Sequence, residues 1–179
     1  MKKTIWVCGV IAGVISVSWG VVGESLLGDH LSLNTRLIFG YATMILGFSL
    51  IFVAIKNYRD NYNNGQISFG RALRIGLLIT LIASTVYVVI WMIDFSYFVP
   101  DYGEKYTAQA IAELKASGAS ATEIQKQGAE MASTMAKYKS SAFFRVMFTY
   151  LEIVPVGIVI SLIAALILKN KSKSVVTTA

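Results

Sequence analysis

The sequence predicts an all-α fold: a four-span transmembrane helical bundle with an extracytoplasmic helical hairpin between spans three and four. Three observations carry this. Of 179 residues, 55% are hydrophobic and only 15% charged, against about 25% charged in an ordinary soluble domain. Four stretches are apolar for long enough to cross a hydrocarbon core about 30 Å thick, which takes roughly 20 residues of helix. A polar segment with helical periodicity separates the last two.

The spans are read at about 4–22, 37–55, 75–93 and 146–168, with an insert at 94–142, all in one integral domain of residues 1–179. In lipid each backbone N–H and C=O must be satisfied within the segment, so each stretch is a helix. The first span has a competing reading as a signal peptide, because Lys2 and Lys3 precede an apolar run. That run exceeds the usual 7–15 residues of a signal core, and Val21-Val22-Gly23 makes a poor cleavage site. An uncleaved helix is the expectation.

Lys and Arg set orientation. The N-terminus, the connection between spans two and three and the C-terminal tail hold nine bases (Lys2, Lys3, Lys56, Arg59, Arg71, Arg74, Lys169, Lys171, Lys173) and one acid, Asp60, a net +8. The opposite side holds seven bases and nine acids, a net −2. Both termini are therefore expected in the cytoplasm of a bacterial inner membrane. The basic pI of about 9.4 then reflects short juxtamembrane clusters, and no nucleic-acid partner is implied. Aromatic residues gather at the span ends, as in an interfacial belt. Trp19, Trp91, Phe95, Tyr97, Phe98, Phe143, Phe144 and Tyr150 stand at the outer ends, and Trp6, Tyr58 and Tyr62 at the inner ones.

The inner connection contains Asn63-Asn64-Gly65, a turn signal, and Ser68, a helix cap leading into span three. Lys56, Arg59, Arg71 and Arg74 then sit at phosphate level, as interfacial anchors or as contacts to an anionic lipid headgroup. In the insert, 104–115 reads as one helix. Ser117-Gly118-Ala119-Ser120 is a turn, and Ser120-Ala121-Thr122-Glu123 is a capping box. No Pro or Gly follows between Ala129 and Val154, so one continuous helix is predicted from about Ala121 into span four, bending near Pro155. Ile124, Gly128, Met131, Met135, Tyr138 and Ala142 form a seam, which Thr107, Ile111, Leu114 and Gly118 match. The seam is thin in leucine. It serves either as filler within a hairpin or as a surface for a protein partner or second copy.

No catalytic signature occurs: no H-E-x-x-H, phosphate-binding loop or nucleophile elbow. One cysteine and one histidine supply no metal set, and no cofactor is expected. Cys8 reads as a small apolar residue and His30 as an exposed loop residue. Glu152 stands apart, because an ionisable group inside a span is costly and marks a functional hypothesis. Glu24, Arg36, Asp94 and Arg145 lie at the same level, so five charges with net −1 converge on the outer leaflet. They form either a polar cluster holding the helix ends together or, around Glu152, a proton or cation site in a transport path. The first is preferred, because the chain lacks the internal repeat usual in transporters. Small-residue ladders mark close helix contacts: Gly9 and Gly13; Ala72, Gly76, Thr80 and Ser84; Gly157, Ser161 and Ala165.

Tyr58-Arg59-Asp60, then Asn64-Gly65, Ile67-Ser68-Phe69-Gly70-Arg71-Ala72 and Gly76 together resemble a bacterial membrane family catalogued as domain of unknown function 4199. The resemblance extends over nearly the whole chain. It implies the same length, span count and helical insert, and it implies no mechanism. The expected role is that of a non-enzymatic structural or interaction protein of the inner membrane; the alternative is a small transporter using Glu152.

Overall fold

The structure, a computed structural model, describes residues 1–27 and 30–170, with the backbone alone at Glu24 and Ser25. Lys171 and Lys173, two of the nine bases above, lie outside the described residues. The elements run α1 (Lys2–Ser18), a widened π-helical turn (Trp19–Gly23), α2 (Glu24–Leu27), α3 (Leu33–Phe48), α4 (Leu50–Tyr62), α5 (Phe69–Tyr97), α6 (Tyr102–Ala116), α7 (Ala121–Ser140) and α8 (Ala142–Leu168).

Four helical stretches are long and apolar enough to cross a membrane: Lys2–Gly23, Leu33–Tyr62, Phe69–Tyr97 and Ala142–Leu168. Each outruns the apolar window read from sequence, because capping sets a helix end and hydropathy does not. Ser32 Oγ accepts from the Thr35 amide at 3.3 Å and starts α3 three residues before its first charge, Arg36. Ser68 Oγ accepts from the Arg71 amide at 3.4 Å and starts α5. Between α3 and α4, Ser49 keeps helical angles and its hydroxyl donates to the Leu46 carbonyl, so the two helices form one span. The Asn63-Asn64-Gly65 turn is present, with Asn64 and Gly65 at φ 50° and 75°.

The small-residue ladders are intramolecular contacts. α5 is central and packs on α1 and α8, while α3 closes against α1 and α4 against α8. A Cβ placed on Gly13 would fall 2.6 Å from the Ala83 carbonyl oxygen, and one on Gly9 2.7 Å from an Ile82 methyl. These register α1 parallel to α5. Gly76 faces Ser161, and Gly157 faces Thr80 and Phe48. Within this contact Ser161 Oγ donates to the Gly157 carbonyl at 2.7 Å. The serine proton is thereby used, so Thr80 Oγ1 donates to Ser161 at 3.2 Å. Such buried pairs satisfy polar groups where water is absent. At the opposite end from the hairpin, Ile67 and Asn170 exchange backbone hydrogen bonds of 2.8 and 2.9 Å, fixing the end of α8 beside the 63–68 turn.

The predicted continuous helix from Ala121 into span four is broken. Ser141 takes extended angles (φ −117°, ψ 106°), and its hydroxyl accepts from the Phe144 amide at 3.2 Å. A serine in the β region caps the next helix and needs neither Gly nor Pro to end the previous one. Helix α8 then runs through Pro155 to Leu168. The Ser120 cap forms, accepting from the Glu123 amide at 3.2 Å. The Glu123 carboxylate accepts from Gln127 Nε2 instead of closing the box.

Helices α6 and α7 pack on each other around Gly118, at φ 80°. Gly128 faces Ile111, and Gly103 faces Met135. Of the seam, Gly128 and Tyr138 are buried while Ala142 is exposed. The hairpin is tied down along the far half of α6. Glu113 Oε1 accepts the Leu33 amide at 2.9 Å, capping α3 from 80 residues away. Gln109 Nε2 donates to the Leu31 carbonyl at 2.7 Å.

Candidate binding cavity at the hairpin end of the bundle

The hairpin base covers aromatic residues that the sequence assigns to an interfacial belt. Trp91 is 8% exposed and Phe95 5%, whereas Tyr97, one and a half turns on, is 78% exposed. Trp91 and Tyr102 meet edge to face with centroids 5.4 Å apart, and Phe95 and Tyr138 do so at 5.5 Å. Tyr138 thus comes down from α7 into the span core.

Its hydroxyl organises a directed chain. Trp91 Nε1 donates to Tyr138 Oη at 2.6 Å. Thr149 Oγ1 gives its proton to the Arg145 carbonyl at 2.8 Å, so across the 3.3 Å contact Tyr138 is the donor to Thr149. Burial pushes the phenols of Tyr138 and Tyr102 above their ordinary pKa, so both stay neutral donors at physiological pH.

Beneath this chain lies a cavity of about 120 Å³ to which all four spans and the hairpin contribute. The widened turn after α1 sets Trp19 and Gly20 in its wall, beside Ser16. Helix α3 adds Arg36 and Gly40, and α5 adds Tyr87 and Trp91 at an i, i+4 spacing. Tyr102 and Tyr106 of α6 repeat that spacing, and α8 contributes Glu152. The Glu152 carboxylate makes no hydrogen bond or ion pair with a described residue, and neither do the hydroxyls of Tyr87, Tyr102 and Tyr106. Ser16, 2% exposed, also has an unpartnered hydroxyl. Buried polar groups are normally satisfied; here the buried Tyr87 and the half-buried Tyr102, Tyr106 and Glu152 border one space with no such partner among the described residues. That space exceeds the 10–15 Å³ or so that one water requires.

Of the five charges read as a cluster, the structure brings Arg36 and Glu152 to this lining. The Arg36 guanidinium is held by Gln109 Oε1 at 2.5 Å. Arg145 is drawn elsewhere. Its Nη1 donates to the Tyr138 and Lys139 carbonyls at 3.0 and 3.3 Å, and its guanidinium lies 4.3 Å from the Phe95 ring centre. The orphan carbonyls and negative dipole end of α7 account for this. Asp94 is buried outside the lining with Oδ2 unpartnered, and the Glu24 side chain lies outside the described ones. Tyr87, Tyr102 and Tyr106 are not singled out by the sequence reading, unlike Tyr138 of the seam. The repeated i, i+4 aromatic pairs at 87/91 and 102/106 are the signal that marks them.

At the other end the four bases separate. Arg59 pairs with Asp60 at 2.7 Å. Arg71 donates to Tyr58 Oη at 3.4 Å with its guanidinium 5.9 Å from that ring centre. Lys56 and Arg74 are exposed.

A family model described as a protein of unknown function (DUF4199) matches residues 8–170, which takes in the hairpin, three whole spans and most of the first. No curated protein matches the chain, and no solved structure does.

Proposed function

The chain belongs to this family of unknown function, and from its own geometry we propose that it is a non-enzymatic multi-pass interaction protein that binds a small solute in the Glu152 cavity. The observation that carries this reading is the carboxylate itself. It sits in a polar, tyrosine-lined space without a partner among the described residues, and an ionisable group inside a span is retained at a cost that a structural role does not repay. The membrane is the inner membrane of a bacterium, and both termini face the cytoplasm. The +8 against −2 charge asymmetry supports this orientation. The cavity then opens at the outer face, the lipid bilayer is the constant partner, and the hairpin is the surface offered to another protein or a second copy.

Topology is checked with reporters fused after Lys173 and inserted after Gly118, an exposed turn residue. A cytoplasm-dependent reporter is expected to be active at the first and silent at the second.

Glu152→Gln tests the cavity reading directly. Removing an ionisable group inside a span is expected to leave the melting temperature in mild detergent unchanged or raised. A fall of several degrees would mean that Glu152 holds the helix ends together as part of a charge cluster. Transport is the second reading, favoured by the position of Glu152 inside a span one turn before Pro155. Proton or cation flux into liposomes carrying the wild type, lost in a stable Glu152→Gln protein, would establish it. Stable protein without flux supports binding alone.

A further inference from the structure

We infer that the solute is a small monovalent organic ammonium ion, held with its charge on Glu152 and its carbon substituents against the tyrosine and tryptophan rings. The inference rests on the cavity reading above and names its ligand class. Six aromatic side chains line about 120 Å³ of space, a density of rings that a hydrated inorganic cation does not require. Ring faces attract cations, and aromatic cages are the recurrent means of holding alkylated ammonium.

The hydroxyls of Tyr87, Tyr102 and Tyr106 supply acceptors for any remaining N–H groups. None of them donates to or accepts from a described residue. The volume limits the ligand to a few non-hydrogen atoms.

The full chain in mild detergent reports on this through its own fluorescence. Of its three tryptophans, Trp19 and Trp91 line the cavity, while Trp6 is exposed near the other end of the bundle. A Trp6→Phe background therefore isolates the cavity signal. Ethylammonium and tetramethylammonium chloride are titrated at constant ionic strength, against sodium chloride, potassium chloride and sodium acetate. A saturable fluorescence change and a rise in melting temperature are expected with the ammonium salts alone. Glu152→Gln is expected to weaken the apparent affinity at least tenfold. Tyr102→Leu, which keeps bulk but removes the π face, is expected to weaken it about threefold to thirtyfold. The absence of a saturable change with both ammonium salts overturns the inference. An equal response to sodium or potassium, or a response to acetate, also overturns it, and leaves the cavity as a solute site of another class. If Glu152→Gln also lowers the melting temperature by several degrees, the cavity reading falls with it.

Discussion

Tyr138→Ala is expected to cost about 3–5 kcal/mol, the range for deleting a buried aromatic side chain, and to release the hairpin from the bundle. Tyr138 is the one residue of the α7 seam that enters the span core, at 7% exposure. It meets Phe95 and Phe148 edge to face with centroids 5.5 and 5.9 Å away. Its hydroxyl receives the buried Trp91 N–H at 2.6 Å. Truncation removes the ring, opens a void above the cavity and leaves that N–H unpaired. Tyr138→Phe keeps the ring and loses only the hydroxyl, so about 1–3 kcal/mol is expected for the orphaned donor. Thermal unfolding in mild detergent, with limited proteolysis between Ala116 and Ser140 as the report on hairpin release, checks both. An Ala variant as stable and as protease-resistant as the wild type would mean that the hairpin folds independently of the spans.

Gly157→Leu is expected to abolish a monodisperse folded protein. Even a single added carbon on Gly157 collides with Thr80 and comes within 2.8 Å of the Phe48 ring. Three spans meet there, on residues that are themselves buried, so no side chain at the contact is free to swing away. Gly157→Ala, the minimal enlargement, is expected to cost about 1–3 kcal/mol. Gly70→Ala is the control: nothing lies within 4 Å of its added carbon, and the change is expected to be neutral or stabilising by up to about 1 kcal/mol through helix propensity. Size-exclusion profiles and melting temperatures of the three proteins separate crowding from propensity. A well-folded Gly157→Leu protein would show that α5 and α8 do not meet there.

What was legible in the sequence was position along each helix axis. A span is a sum of hydropathy over many residues, and a small-residue ladder repeats with the helical period, so both survive without knowledge of neighbours. Direction around the axis was less legible. Trp91 and Tyr97 both belong to the outer aromatic belt, yet at about 100° per residue they are rotated roughly 240° apart. One enters the core and the other leaves it. The same ignorance hid the cavity, whose walls come from seven elements, and misjudged Arg145, which the carbonyl end of α7 captures before Glu152 can. The break at Ser141 was hidden for a different reason. A serine cap is a local choice that becomes favourable only once the preceding helix has somewhere else to go.

The cap that Glu113 places on the Leu33 amide bears on the order of biosynthesis. A chain made from its N-terminus delivers the second span to the membrane long before residue 113 leaves the ribosome. Until then the first amides of α3 are left to water or headgroups. The pairing of Ile67 with Asn170 imposes the same delay at the opposite end, where the partner comes after the last span. Both ends of the bundle thus depend on contacts from late-made residues. A nascent chain halted after its third span lacks both contacts and the packing surface of α8, and that is the species a membrane quality-control protease would meet.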